Sequence, residues 1–330
     1  MQDNQESPDA EQGDIFGSNR VGYASGPFIE EKHRVTGLYE ELKTLELEKH
    51  IADLSMYGYT IVPPEKIMPA GYITELRDAV LKVSEKRSGV TPDQETGKTH
   101  VGSQHPLGQF MRKVLFEDPV FEPLITHPII LGLVSYLTGY NTLLSLSDAM
   151  VKGPGGAMLP IHNDNGDKTT AVYPDKPQSA TVNLLLSDYE EGCGSIAFLP
   201  GSHNFRREPT PAELQDAIPE MAPVYAPAGS AIIWNSNTWH MALPRENPGL
   251  RVTLLYLFCR GHLQTQSSFR DSVTDDILAR NPPRFAQLMH KYGVLPFGKE
   301  DIDVEKAKAG SKRYSLFDCH PLWKDFYQLE

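Results

Sequence analysis

After Tyr140 the chain changes rhythm. Short β-prone runs take over at 142–152, 180–186, 195–199, 230–234 and 252–258, each bounded by Gly, Pro, Asn or Asp. Many short strands separated by turn signals bury their apolar side chains most simply as a sandwich or a closed barrel. A β-core over about 140–262 is therefore the element around which everything else must fit.

The flanks read differently. Residues 72–86 place Ile73, Leu76, Val80 and Val83 at helical spacing, and 128–137 do the same with Ile129, Ile130, Leu133, Val134 and Leu137, with Gly139 just past the end. Residues 35–55 look helical, 56–62 read as a strand stopped by Pro63 and Pro64, and 88–109 read as a loop. Thr210, Pro211 and Glu213 form a capping-box pattern with Pro at the first helical position. Phe285, Leu288 and Met289 indicate a short late helix, and the amphipathic segment 317–329 is a candidate lid for the barrel or a dimer contact. Residues 1–35, rich in Asp, Glu, Gln, Gly and Ser, are expected to be a mobile tail ahead of one domain over 36–330.

Composition excludes several function classes. The net charge is −12 and Lys/Arg residues form no sustained run, which speaks against nucleic acid as a partner. Cys193, Cys259 and Cys319 are odd in number and far apart, which speaks against a disulfide framework or a cysteine-based zinc site and fits a reducing compartment. The polar, acidic start is not a signal peptide, no long apolar run predicts a membrane span, and the ending Tyr-Gln-Leu-Glu is not a peroxisomal address, so a cytoplasmic location is expected. The expected partner is a small molecule; a homo-oligomer stays open.

The chemistry concentrates in four residues. His162 and Asp164 are two apart, so on a strand they would project to one face. His240 lies in a second β-prone stretch beside Trp239. Two histidines and one carboxylate make a facial triad that leaves adjacent metal positions open, the arrangement of non-haem Fe(II) oxygenases. Arg251 opens the apolar run 252–258, where a buried guanidinium needs an anion; a dicarboxylate would fit its fork. The same His/Asp/His set would also suit another divalent metal in a cupin-like isomerase or epimerase, or a non-catalytic binding module. Asn183, between Val182 and Leu184 in an apolar strand, is either a backbone-satisfied amide or a ligand contact. Pro200-Gly201-Ser202-His203 reads as a structural turn. His100 and His105 flank a loop that is either solvated or part of a substrate lid.

These residues resemble the phytanoyl-CoA dioxygenase family of Fe(II)/2-oxoglutarate oxygenases. His162-Asn163-Asp164 matches the family's His-x-Asp, the run from Gly194 to His203 its segment ending Pro-Gly-Ser-His, His240 its distal His, and Arg251 its cosubstrate arginine. Lys152-Gly153-Pro154-Gly155-Gly156 looks like the stretch before the first ligand. The match spans about 57–260. It departs at Ala242, where some members have Ser, and at Asn183, beside which several have an aromatic residue.

The resemblance implies a double-stranded β-helix, a cupin-like jelly-roll barrel mainly of β-structure with flanking helices. It implies Fe(II) held by His162, Asp164 and His240. It further implies 2-oxoglutarate bound by Arg251, with Asn183 and Lys152 as further contacts, and O2 consumed with release of succinate and CO2. Related halogenases replace the carboxylate by a small residue; Asp164 therefore favours hydroxylation or a related oxidation of a small organic molecule, such as a secondary metabolite.

Overall fold

The computed structural model describes residues 36–101, 105–165, 172–292 and 312–329. The expected tail at 1–35 lies outside the described residues. Two antiparallel sheets form the centre. The larger has the order β1(Tyr59–Val62), β8(Ala231–Asn235), β5(Ser179–Leu185), β10(Arg251–Cys259), β3(Leu143–Lys152), β2(Gln109–Met111); the smaller has β4(Leu159–His162), β9(His240–Ala242), β6(Ile196–Phe198), β7(Ala222–Pro223). The helices are α1(Thr36–Thr44), α2(Glu48–Met56), α3(Pro64–Ile67), α4(Ala70–Ser88), α5(Pro128–Thr138), α6(Glu213–Asp216), α7(Asp275–Ala279), α8(Pro283–Leu288) and α9(Pro321–Tyr327).

The larger sheet is buried on both faces, and the period of two in its strands separates them. On β5, Ala180, Val182 and Leu184 join the helix-side core, as do Val252, Leu254, Tyr256 and Phe258 of β10; there they meet Leu76 and Val80 of α4 and Ile130, Leu133 and Val134 of α5. The alternate residues, Leu185 of β5 and Ile232 and Trp234 of β8, turn inward and pack with Ile196 and Phe198 of the smaller sheet. This is the double-stranded β-helix with flanking helices that the resemblance implied.

Expected elements differ from observed ones mainly at their ends. The segment 35–55 divides into α1 and α2, and β1 begins only at Tyr59, after the positive φ of Gly58 (86°). Gly139, with φ 89°, ends α5. Glu213 and Thr210 exchange side-chain and backbone hydrogen bonds, so the capping box forms. The segment expected to close the barrel mouth or make a dimer contact does not line the cavity: α9 packs on the helical layer, where Trp323 is fully buried, donates its indole N–H to the Pro123 carbonyl (2.6 Å) and lies 4.4 Å from the His127 ring. Its face carries an aromatic residue with a buried partner, which periodicity alone does not identify.

Among the described residues no single helix is long and apolar enough to cross a membrane. The apolar pair Pro119–Thr126 and Pro128–Thr138 passes that test only together, bent by 53°, and contributes to the helix-side core.

Candidate metal and cosubstrate site

A cavity of about 310 Å³ lies between the sheets, lined from β3, β5, β8 and β10 on one side and β4, β6 and β9 on the other. His162, Asp164 and His240 meet in it. Register brings the histidines together, because His162 of β4 pairs with His240 of β9, and their ring centroids lie 4.2 Å apart. Asp164 does not continue the strand, as its spacing had predicted. β4 ends at His162, and Asp164 is held by its own backbone N–H, which donates to the Ser236 carbonyl (2.9 Å). Asp164 Oδ1 then stands 3.9 Å from His162 Nε2 and 3.6 Å from His240 Nε2, and one ligand atom from each residue lies within 4.8 Å of the others.

The neighbours fix which atoms face inward. His162 Nδ1 lies 2.8 Å from the Pro160 carbonyl and His240 Nδ1 lies 3.0 Å from that of Thr238. A carbonyl only accepts, so each Nδ1 carries the proton and each Nε2 offers a lone pair, the tautomer a metal needs. Asp164 Oδ2 accepts from Thr181 Oγ1 (2.7 Å) and Trp234 Nε1 (3.1 Å), which leaves Oδ1 free. Burial pulls the His240 pKa down to about 4, against the raising effect of Asp164, so its imidazole is neutral near pH 7. Burial opposes ionisation of Asp164, but the two imidazoles and the bonds from Thr181 and Trp234 outweigh it and hold the carboxyl below its ordinary value. The His240 side chain is 6% exposed and that of His162 33%, so the open side of the cluster is at His162.

Arg251 also lines the cavity. It is 3% exposed, donates through Nη1 to the Gly194 carbonyl, lies 5.7 Å from the Tyr189 ring, and its buried Nε has no partner among the described residues. Directly across the sheet, Arg251 pairs with Lys152. Lys152 is 1% exposed and donates to the Leu243 carbonyl (3.0 Å); burial, then the charge of Arg251, lowers its pKa to about 7. Lys152 does not line the cavity with the triad; it borders a neighbouring one beside Thr96, Lys98 and Gly108. Asn183 does line it, and its buried Oδ1 has no partner among the described residues, so the backbone-satisfied alternative does not hold for that atom. Two adjacent cations are costly unless an anionic ligand joins them, whereas the orphaned Asn183 oxygen needs a donor. The donor set therefore fits a divalent metal with a dicarboxylate beside it.

His203 stays out of the cluster: it is 8% exposed and donates to the Ser55 carbonyl (3.2 Å), while Gly201 turns the chain at φ 81°. Thr181 and Tyr189 were not among the residues expected at the site. A signal existed for Thr181: with Asn183 it supplies the polar phase of an alternation whose apolar phase is Ala180, Val182 and Leu184. The ring of Trp234 belongs to the core, and its N–H is what reaches Asp164.

Comparison with known proteins agrees with this geometry. An uncharacterized protein of Mycobacterium tuberculosis is 23% identical over 247 residues, 72% of this chain and 85% of that protein. HygX from Streptomyces hygroscopicus, solved with nickel and 2-oxoglutarate bound, superposes with a TM-score of 0.52 at 17% identity, over 66% of this chain and 88% of its own. SnoK, a non-haem α-ketoglutarate-dependent carbocyclase from nogalamycin biosynthesis, gives a TM-score of 0.51 at 21% identity, over 65% and 84%. The phytanoyl-CoA dioxygenase family model matches residues 55–253, a stretch that contains both sheets except β10 beyond Thr253 and holds His162, Asp164, His240 and Arg251 together. The chain belongs to the phytanoyl-CoA dioxygenase family of iron- and 2-oxoglutarate-dependent oxygenases.

Proposed function

We propose that this protein is an Fe(II)- and 2-oxoglutarate-dependent dioxygenase that hydroxylates a small organic molecule. The observation that carries the reading is the convergence of His162 Nε2, His240 Nε2 and Asp164 Oδ1, each left free because its other polar atom is already bonded. When bound, the metal would supply O2 activation coupled to decarboxylation of 2-oxoglutarate to succinate and CO2.

The chain's own residues supply the rest. Thr181 and Trp234 keep Asp164 in a one-oxygen pose. Arg251 offers its unpaired Nε to the far carboxylate of 2-oxoglutarate, Lys152 adds positive charge behind it, and Asn183 offers its amide from the cavity floor. Leu255, Leu257 and Met150 keep water from the reacting carbon. Asp164 occupies the position that a halide would need, which supports oxygen insertion over halogenation. The buried Arg251 beside the triad favours this reading over a cupin-like isomerase, which has no need of a dicarboxylate anchor.

The test is an anaerobic Fe(II) titration with and without 2-oxoglutarate, followed by visible charge-transfer absorption. The chelate band should appear in the wild type and weaken at limiting 2-oxoglutarate in Arg251→Ala. Well-folded, iron-loaded protein without a band would end the oxygenase reading, and tight zinc or nickel binding without 2-oxoglutarate affinity would favour the isomerase.

A further inference from the structure

The cavity carries positive charge at two ends, and only one of them is spoken for by the cosubstrate. Arg251 marks the first, with Lys152 opposite it on the neighbouring strand but outside the lining. The second is Arg112, which lines the cavity with Gln266; both are exposed, so they stand at its mouth. Arg112 follows β2, whose Met111 pairs with Ala149, and the next residue, Lys113, bonds Asp148; Gln266 donates its backbone N–H to Ser145 Oγ. Those contacts meet β3 three to seven residues from Lys152, roughly 10–23 Å along an extended strand.

Arg112 is also free. Arg87 pairs with Glu117, Arg207 with Glu213 and Arg280 with Glu122. Among the described residues the Arg112 guanidinium makes no ion pair and donates no hydrogen bond; its contact is with the Phe110 ring, 5.6 Å from the centroid. Asp148 acts on it only at a distance, since one carboxylate oxygen takes the Lys113 N–H and the other is buried. The Gln266 amide has no bonded partner among the described residues either. Between this polar mouth and the triad the wall is apolar, made by Phe110, Leu146, Met150, Leu255 and Leu257. At about 310 Å³ the cavity is at the small end for ligand sites.

We infer that the substrate is a small, mainly apolar carboxylic acid whose carboxylate is taken by Arg112 and Gln266, which holds a carbon of its apolar body at the triad. The inference rests on the oxygenase reading of the same site. A planar fork with nothing bound, stacked on an aromatic ring, is suited to a carboxylate. The apolar wall selects the body by area and shape, and the mouth selects the charged end.

The experiment uses full-length protein with Fe(II) and saturating 2-oxoglutarate, without oxygen, so that the cosubstrate position is filled. Octanoate and 3-phenylpropanoate are titrated against their primary amides, with octanoyl-CoA as a further arm, and binding is read from tryptophan fluorescence and from perturbation of the charge-transfer band. The acids should bind about tenfold more tightly than the amides, as expected for one charge-assisted pair at a half-open site. Arg112→Gln should reduce that preference to within about twofold while leaving the band itself in place. Equal binding of acid and amide, no binding of either acid, an acid preference that survives Arg112→Gln, or binding of octanoyl-CoA without octanoate would each overturn the inference. Those outcomes leave the oxygenase reading standing as long as the band forms; loss of the band in the wild type sinks the oxygenase reading itself.

Discussion

Asp164 shows how single side chains set the chemistry of this site. A carboxylate with both oxygens free can chelate a metal or swing; here Thr181 and Trp234 occupy Oδ2 and leave Oδ1 to the cavity. Trp234→Phe keeps the packing of the ring and removes that N–H, and Thr181→Val removes the hydroxyl at similar volume. Each should weaken Fe(II) binding about 10–100-fold, measured by anaerobic calorimetry, with the fold intact by circular dichroism. Unchanged affinity in both variants would mean that the two bonds do not position the carboxylate. Lys152 carries a second consequence. Its pKa is lowered to about 7 by burial first and by Arg251 second, so between pH 7 and its ordinary value of 10.5 the folded state holds fewer protons than the unfolded chain. Stability of the ligand-free protein should therefore rise with pH over that window. The buried histidines act below their ordinary value of 6.5, and the raised Cys193 thiol acts above 9.0, so the interval from 7 to 9 isolates the lysine. In Lys152→Met the rise across that interval in urea-unfolding free energy should be lost; parallel profiles for variant and wild type would refute the assignment.

At the level of elements, the sequence was most legible where a simple period met burial. The runs expected at 142–152 and 252–258 are β3 and β10, and the helix expected over 72–86 is α4 with one turn's worth of residues added at its ends. What periodicity could not reveal was partnership. The register that sets His162 opposite His240, or Arg251 opposite Lys152, depends on contacts between strands far apart in the chain. The three-residue β2 was not expected, and its first residue, Gln109, fell at the end of the loop read over 88–109, because its pairing with β3, and not its own pattern, makes it a strand. The packing of α9 on the helical layer, away from the cavity, was hidden for the same reason. Trp323 fills a place between Tyr72, His127 and Phe326 on the helical layer. Trp323→Ala should cost about 3–5 kcal/mol of stability in denaturant unfolding. Because α9 contributes nothing to the cavity lining, Fe(II) affinity of the folded variant should match the wild type. A loss of affinity with little loss of stability would place α9 in the function of the barrel after all.

Across the whole molecule, the two faces of the larger sheet divide the labour. The face under the helices is apolar throughout its central strands, while the face toward the smaller sheet holds Thr181, Asn183, Thr253 and Arg251 among Leu255 and Leu257. The identities of the metal-side residues were legible because their types and spacing are chemically unusual; their second partners were not, because Thr, Trp and Asn in a strand look like ordinary filling until the opposite sheet is in place. Two polar atoms of the inner face have no partner among the described residues, Arg251 Nε, which needs an acceptor, and Asn183 Oδ1, which needs a donor; each reduces stability in the free protein and becomes useful when a ligand satisfies it. Asn183→Leu tests that exchange. It removes an unsatisfied buried amide and extends the apolar row, so the ligand-free variant should be as stable as the wild type or more stable by up to about 1 kcal/mol. A ligand that binds only the folded state raises its stability with the logarithm of its concentration over Kd. The substitution also removes the amide N–H that would donate to 2-oxoglutarate, so Fe(II) with 2-oxoglutarate should raise Tm less in Asn183→Leu than in the wild type at equal concentrations. Thermal unfolding with and without the pair reads both effects in one experiment. A variant that is strongly destabilised without ligand, or that gains as much Tm from ligand as the wild type, would show that Asn183 is a structural residue of the barrel and not a group kept for its ligand.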